Sequence, residues 1–365
     1  MQPCQEQNKS FFDQLQNIEG LDLRDTRGLR HELRIVLLGV TMAILSNRDG
    51  NLSSIHRYIV NHNTRILASI NYSIHSPVSR SQLPNILENV SLAVFEGILF
   101  NHFGVTLSQQ ERQWFALDGK DLKGSIETGH TRGEAIVQVV THKHRVVQSQ
   151  EYYSGRKESE VITVRNILKD NNLEGQKISM DALHCKPHTL EPINESGGIY
   201  LVGLKDNQKE LLSECLDVIR FSKPTFNFIS AECCPTKYRP DARIKAKHGR
   251  IEKREYDIYN ISKQDKHQRW ENCKINPLIK VKRDITEVKT QKKYIEISYY
   301  ISNQNDNYLE LCHAIRGHWS VEVNNHIRDV TLAEDDLRSK KICISFDGWF
   351  KNVSLWSFKP MQMLK

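Results

Sequence analysis

From residue 10 to about residue 112, apolar side chains recur every three or four positions; from Trp114 onward they come in short runs and alternations instead. The first texture is that of helices packed on one face. It is strongest in LRHELRIVLLGVTMAIL and continues over 53–70, 81–92 and 94–103, with Pro77 and Pro84 marking breaks or helix starts. These segments predict an α-helical N-terminal domain over 1–112. The second texture is that of strands. FALD predicts a strand ending at Asp118, and AIVQVVTH and RVVQSQEYY, joined at Lys143 and His144, predict an antiparallel pair. A helix is expected over 161–168, then strands at KISMD and IYLVGL, and further strands at EYDIYNIS and YIEISYYIS. Helical spacing returns over 309–326. A hairpin followed by strands alternating with helices predicts an α/β core over 113–340.

The longest apolar run, 35–45, has 11 residues, against the ~20 that span a bilayer. It predicts a buried helix. The N-terminal MQPCQEQNKSFF lacks the basic segment and apolar core of a secretory signal, so a cytoplasmic protein without a membrane partner is expected. Eight cysteines stand at 4, 185, 215, 233, 234, 273, 312 and 343 with no C-x-x-C pair, and are read as reduced thiols. His184 and His188 flank Cys185, but no second ligand pair completes a zinc site.

Charge is unevenly placed. The chain carries +7, yet 237–293 holds 18 Lys and Arg against 8 Asp and Glu, so this segment is +10 and the remainder −3. Such a segment is an electrostatic footprint for a phosphate backbone. Tyr256, Tyr259, Trp270 and Tyr294 interleave with its basic residues and could stack on unpaired bases. DNA is the expected partner.

Three carboxylates stand in well-marked frames: Asp118 in FALDGKDLKGS, Asp181 in ISMDALHC and Glu322 in RGHWSVE. Ionised acids of this kind suit Mg²⁺, which takes oxygen ligands and is held by one or two carboxylates plus water and substrate phosphates. Two such ions roughly 3.5–4 Å apart can serve the attacking and leaving oxygens of a phosphodiester reaction. Asp181 also suits the cap of a helix starting at Ala182. Asp121 is the weaker acid of its loop.

The three segments resemble those of the DDE transposases of bacterial insertion sequences, in particular the H-repeat-associated (ISAs-type) group. There DGK-x-L-(K/R)-G-S, (I/V)-x-x-DA and R-x-HW-x-(I/V)-E segments carry the metal-binding triad. RKESEVITV from Arg156, LKDNQKELL from Leu204, HGRIEKREY from His248 and YYISN from Tyr299 are similar too, so the likeness spans roughly residues 10–340 in order. It implies a ribonuclease-H-like α/β catalytic core, with a basic β-rich insertion at about 207–305 and an atypical tail over 341–365. It implies Asp118, Asp181 and Glu322 as catalytic metal ligands, two Mg²⁺ ions that Mn²⁺ could replace, and double-stranded DNA, both element ends and target, as substrate. Lys120, Lys123, Lys205, His248, Arg250, Arg316 and His318 are the candidates for DNA contact, and a homo-oligomer on DNA is expected. Trp319 is read as a packing residue.

The activity implied is metal-dependent cleavage at the element ends followed by strand transfer. An inactive DNA-binding remnant and a related metal-dependent nuclease are the alternatives. After Glu322 the chain departs from the group. It reads VNNHIRDVTLAED, one residue shorter, with Val323 where the group has Asn, and the segment beyond Arg338 does not resemble it.

Overall fold

The computed structural model describes residues 10–330, apart from 47–51, 104–113, most of 123–134, 235–249, 262–267 and a few single positions. Lys123, His248 and the tail over 341–365 therefore lie outside the described residues.

Five helices open the described chain: α1 (Phe11–Gln14), α2 (Leu33–Leu45), α3 (Leu52–Ser69), α4 (Gln82–Glu88) and α5 (Leu92–Phe103). The long apolar run becomes α2, buried along Val36–Ala43. Ser10 starts α1 with a capping box, accepting from the Asp13 amide while the Asp13 carboxylate accepts from the Ser10 amide. The expected separate helical domain is corrected, however. Leu37, Ile59, Leu83, Phe95 and Leu99 share one apolar cluster with Ala116, Val140, Val146, Val147 and Val321. Those last five belong to the sheet region and to the final helix, so the N-terminal helices bury their faces against the rest of the molecule rather than only on each other.

Among the described residues the strands form one nine-stranded sheet in the order β3-β2-β1-β4-β5-β9-β8-β7-β6. Its first half consists of β1 (Phe115–Asp121), β2 (Ala135–Thr141), β3 (Val147–Tyr153), β4 (Lys177–Met180) and β5 (Ile199–Leu204). The β1-β2-β3 meander is antiparallel, whereas β4 runs parallel to both β1 and β5. Helices α6 (Lys157–Asp170) and α7 (Pro187–Glu195) make the crossovers, and Val164, Ile167, Leu190 and Ile193 join Leu117, Met180 and Val202 in a second apolar cluster.

After α8 (Lys209–Phe221) the insertion contributes β6 (Phe226–Cys234), β7 (Arg250–Tyr259), β8 (Leu278–Glu287) and β9 (Lys293–Ser302), all antiparallel. Strand β9 then pairs with β5, Leu201 opposite Ser302 through Leu204 opposite Tyr299. The insertion thus extends the same sheet. Tyr256 is buried in one apolar cluster and Tyr259 and Trp270 in another, which corrects the expectation that they are free to stack on bases: their rings fill the cores on the two faces of the sheet. Arg254, Lys280, Lys282 and Arg283 are engaged in ion pairs.

The helix expected over 309–326 divides at His318 into α9 (Tyr308–Gly317) and α10 (Trp319–Val330). The joint sits where Gly317 is pressed against His142; a Cβ at 317 would lie 2.9 Å from His142 Cγ and closer still to Nδ1. Among the described residues no helix is long and apolar enough to cross a membrane.

Candidate active site

The site begins with strand register. Phe115, Ala116 and Leu117 of β1 lie opposite Ile178, Ser179 and Met180 of β4, so the next residue of each chain, Asp118 and Asp181, falls side by side where the parallel pairing ends. Strand β1 does not stop at Asp118, as the sequence suggested, because Asp118 to Asp121 continue to pair with Gln138 to Ala135 of β2. What ends at Leu117 is the β4 side of the ladder, which opens a crevice at the carboxyl ends of the parallel strands. The Asp181 carboxylate caps the short 3₁₀ turn that follows, Oδ1 accepting from the Leu183 amide at 2.9 Å, and is nearly half exposed.

Helix α10 brings the third acid. Its Asn325 Nδ2 donates to Asp118 Oδ2 at 3.3 Å, and Asn325 lies one turn beyond Glu322, on the same helix face. Glu322 itself is exposed. With valine at 323, the carboxamide that reaches Asp118 is that of Asn325. Helix α9 is anchored through Glu310, which accepts from Trp114 Nε1 at 2.9 Å and Gln304 Nε2 at 3.2 Å and pairs with Lys177.

A fourth acid, Glu160 on α6, was not singled out by sequence, although it lies within the RKESEVITV segment. Its Oε2 accepts from the Tyr153 hydroxyl at 3.0 Å, and Oε1 lies 3.1 Å from Nε2 of the buried His184. Gly119 makes room for it: a Cβ there would stand 2.6 Å from Glu160 Oε2.

Electrostatics show how closely these acids interact. Asp118 is pushed up to about 8, first by burial and then by the charges of Asp181, Glu160 and Glu322. Burial also raises Glu322, opposed by the cationic Arg283 and Arg316. An aspartate whose charge is disfavoured by three neighbouring carboxylates marks a site suited in kind to a hard cation, since every donor is oxygen. Among the described residues, no three His, Cys, Asp or Glu side chains already stand close enough to form a complete metal cage.

The remaining candidates are spread around this centre. Lys120 is buried on β1, two residues from Asp118 and on the same face of the strand. Lys205 is exposed just past β5, at the Asp181 end of the sheet. Arg250 begins β7. Arg316 is half-buried with its guanidinium 4.9 Å from the Trp319 ring centre, while Arg283 and Arg254 approach the same ring at 5.1 and 5.9 Å. Trp319, expected to be a packing residue, is half-buried among these three cations, two of them from β7 and β8. His318 Nδ1 lies 2.9 Å from Ser179 Oγ, and His142 Nε2 lies 2.7 Å from the same oxygen. Neither His142 nor Ser179 carries a sequence signal, because each becomes part of the site only through β4 and the turn after β2.

No protein-family model matches the chain. It is 24% identical over 324 residues to "H repeat-associated putative transposase YhhI" of Escherichia coli (strain K12), covering 88% of this chain and 82% of that protein. It is 25% identical over 263 residues to "Putative transposase YncI" of Escherichia coli O157:H7, covering 71% and 65%. A shorter match, 23% over 191 residues and 52% of this chain, is to "H repeat-associated putative transposase YbfD" of Escherichia coli (strain K12), of which it covers 74%. Over most of its length the chain is therefore a homologue of proteins named H repeat-associated putative transposases, the group its three acidic segments resemble.

Proposed function

We propose that this chain is a DDE-type DNA transposase that cuts phosphodiesters at the ends of an insertion sequence and joins the freed 3′ ends to target DNA. The observation that carries the reading is the β1–β4 register, which sets Asp118 beside Asp181, together with the charge of Glu322 acting on Asp118 from α10. The strand order β3-β2-β1-β4-β5 with crossover helices supports a ribonuclease-H-like core.

Asp118, Asp181 and Glu322 would hold Mg²⁺, with two ions expected and Mn²⁺ able to substitute. The ion, when bound, supplies charge neutralisation and activation of water at neutral pH. The protein's own groups do the positioning. The end of the β4 ladder fixes the spacing of the two aspartates, Asn325 ties α10 to Asp118, and Arg283 and Arg316 favour the ionised form of Glu322. Lys205, Arg250 and Arg316 would meet the phosphate backbone of double-stranded DNA, and a homo-oligomer on paired ends would be the working form.

The deciding experiment is cleavage of labelled DNA from the ends flanking the gene in Mg²⁺ or Mn²⁺, comparing wild type with Asp118→Asn and Glu322→Gln. Cutting by wild type alone, with cut ends joined to a second DNA, is the expected result. Cutting without joining would mean a metal-dependent nuclease. Salt-sensitive binding without cutting would mean an inactive DNA-binding remnant.

A further inference from the structure

Ser179 Oγ has three polar neighbours: His142 Nε2 at 2.7 Å, His318 Nδ1 at 2.9 Å and the Phe115 carbonyl oxygen at 3.2 Å. A hydroxyl has one proton and two lone pairs. The carbonyl can only accept. The assignment that makes all three contacts hydrogen bonds has Ser179 donating to Phe115 and accepting from both imidazoles. His142 then carries its proton on Nε2 and His318 carries its proton on Nδ1.

Both rings are held neutral by their surroundings. Burial is the main cause for each, lowering His142 to about 3, with His318 adding to the effect, and His318 to about 4. For His318 the charge of Asp181 works in the opposite direction, whereas that of His184 works in the same direction. A neutral ring protonated at Nδ1 leaves its Nε2 lone pair uncommitted, and among the described residues His318 Nε2 has no hydrogen-bond partner.

Position gives this lone pair its meaning. Ser179 lies on β4 two residues before Asp181, which stays extended just past the end of the strand and so shares its face, about 6.6 Å further along. His318 sits at the α9–α10 joint, one turn before Glu322. Three features hold the junction still: Ser179 is 1% exposed, the His142 ring stacks on Trp114 at 5.9 Å, and Gly317 leaves room for His142 where any side chain would collide. A hydroxyl shared by two imidazoles, this close to two acids, is more than is needed to pack a strand against a helix.

We infer that His318 is a working group of the acid site, held by Ser179 and His142 as the Nδ1–H tautomer so that its Nε2 accepts a hydrogen bond from a water or DNA hydroxyl beside Asp181. Ser179 and His142 are positioning residues in this arrangement. The inference rests on the transposase reading for its role but not for its chemistry, because the tautomer exists without DNA or metal.

The test follows that division. In ¹⁵N-histidine-labelled protein at pH 7.5 without DNA, two-bond ¹H–¹⁵N correlations are expected to show His318 protonated at Nδ1 and His142 at Nε2. Ser179→Ala is expected to give a tautomer mixture at His318, and Ser179→Thr, which keeps the hydroxyl, to restore the single form. An Nε2–H or cationic His318 in the wild type, or a Ser179→Ala spectrum identical to wild type, overturns the arrangement. In the cleavage assay His318→Asn, which keeps a donor near the Nδ1 position but loses Nε2, is expected to slow cutting by roughly 100-fold or more, and Ser179→Ala by roughly 10- to 100-fold. Wild-type cutting by His318→Asn refutes the acceptor role. Absence of cutting by the wild type itself refutes the transposase reading and with it that role, while the spectra still decide the tautomer.

Discussion

Replacing Gly119 by alanine asks whether the Glu160 carboxylate is a built part of the acid site. The new methyl would meet Glu160 Oε2 at 2.6 Å and the Tyr153 hydroxyl oxygen at 2.7 Å. Gly119 lies within β1, where alanine is sterically at home and removes some freedom from the unfolded chain, a gain of roughly 0.5–1 kcal/mol. Against that gain stands the displacement of Glu160, which is held by Tyr153 at 3.0 Å and His184 at 3.1 Å. Losing those two contacts costs about 1 kcal/mol each, and crowding a packed site typically costs ~1–3 kcal/mol. The net expectation is a loss of about 2–4.5 kcal/mol. With Glu160→Ala already in place the carboxylate clash is gone and the Tyr153 hydroxyl, no longer held by Glu160, is the contact left to give, so Gly119→Ala is expected to cost roughly 1 kcal/mol and the two changes should be coupled by roughly 1–3 kcal/mol. Urea unfolding of the four proteins measures this directly. A Gly119→Ala protein as stable as wild type, or one that loses the same stability in both backgrounds, would refute the placement of Glu160 against β1.

Three further outcomes follow from the charges. Asp118 keeps its proton up to about pH 8 in the fold but loses it near 3.8 when unfolded, so metal-free stability should decline as pH rises through that window; Asp118→Asn should melt higher than wild type in chelator by a margin that grows from about pH 4 to 8, and a constant margin would contradict this. His142 titrates at about 3 in the fold, below its ordinary value of 6.5. Its contribution is therefore present above pH 6.5 and lost on acidification, and His142→Gln should flatten the fall in urea midpoint between pH 7 and 5; an unchanged slope counts against it. Glu252, 2% exposed, lies 2.6 Å from both Arg254 and Arg283, so Glu252→Ala should cost ~3 kcal/mol by removing the buried carboxylate the two share, Arg283 keeping Glu296 at 2.7 Å, whereas a loss below ~1 kcal/mol in urea unfolding would mean that water reaches the pair.

Periodicity carried the element types where one face is apolar, as in α3, and continuous apolar runs carried the buried α2, β2, β4 and β5. It could not locate the end of β1. Asp118 to Asp121 look like a polar turn, and only pairing with Ala135 to Gln138 keeps them extended. The division at His318 was equally hidden, since the apolar spacing runs on through it and the cause is a histidine 175 positions away pressed on Gly317. For the site, the acids with marked frames were legible, while Glu160, Ser179 and His142 were not. Each of these is an ordinary residue in an ordinary segment until the sheet brings it beside Asp118 or Asp181. The basic segment shows the opposite error: its aromatic residues looked available because sequence records their number, whereas β7 buries Tyr256 on one face of the sheet and Tyr259 on the other, and Trp270 packs into the second cluster from the 3₁₀ turn over Gln268–Cys273.

The sheet order also accounts for the unequal spacing of the three acids, 63 residues from Asp118 to Asp181 and 141 from there to Glu322. Two aspartates on adjacent parallel strands need only a hairpin and one crossover helix between them. The third acid comes from a helix that must start beside β5, and the chain leaves that place through α8. It returns as β9, paired with β5 itself, so the insertion closes on the strand from which it departed. Any number of antiparallel strands can be added outside β9 without moving α9, because the last insertion strand always ends beside β5. That geometry makes the insertion's length separable from the position of Glu322, but not its sequence: Arg254 and Arg283 reach back from β7 and β8 to the Trp319 ring, and Arg283 acts on Glu322 directly. A basic insertion that also supplies a cation to the third acid links the surface expected to hold DNA to the group expected to help cut it.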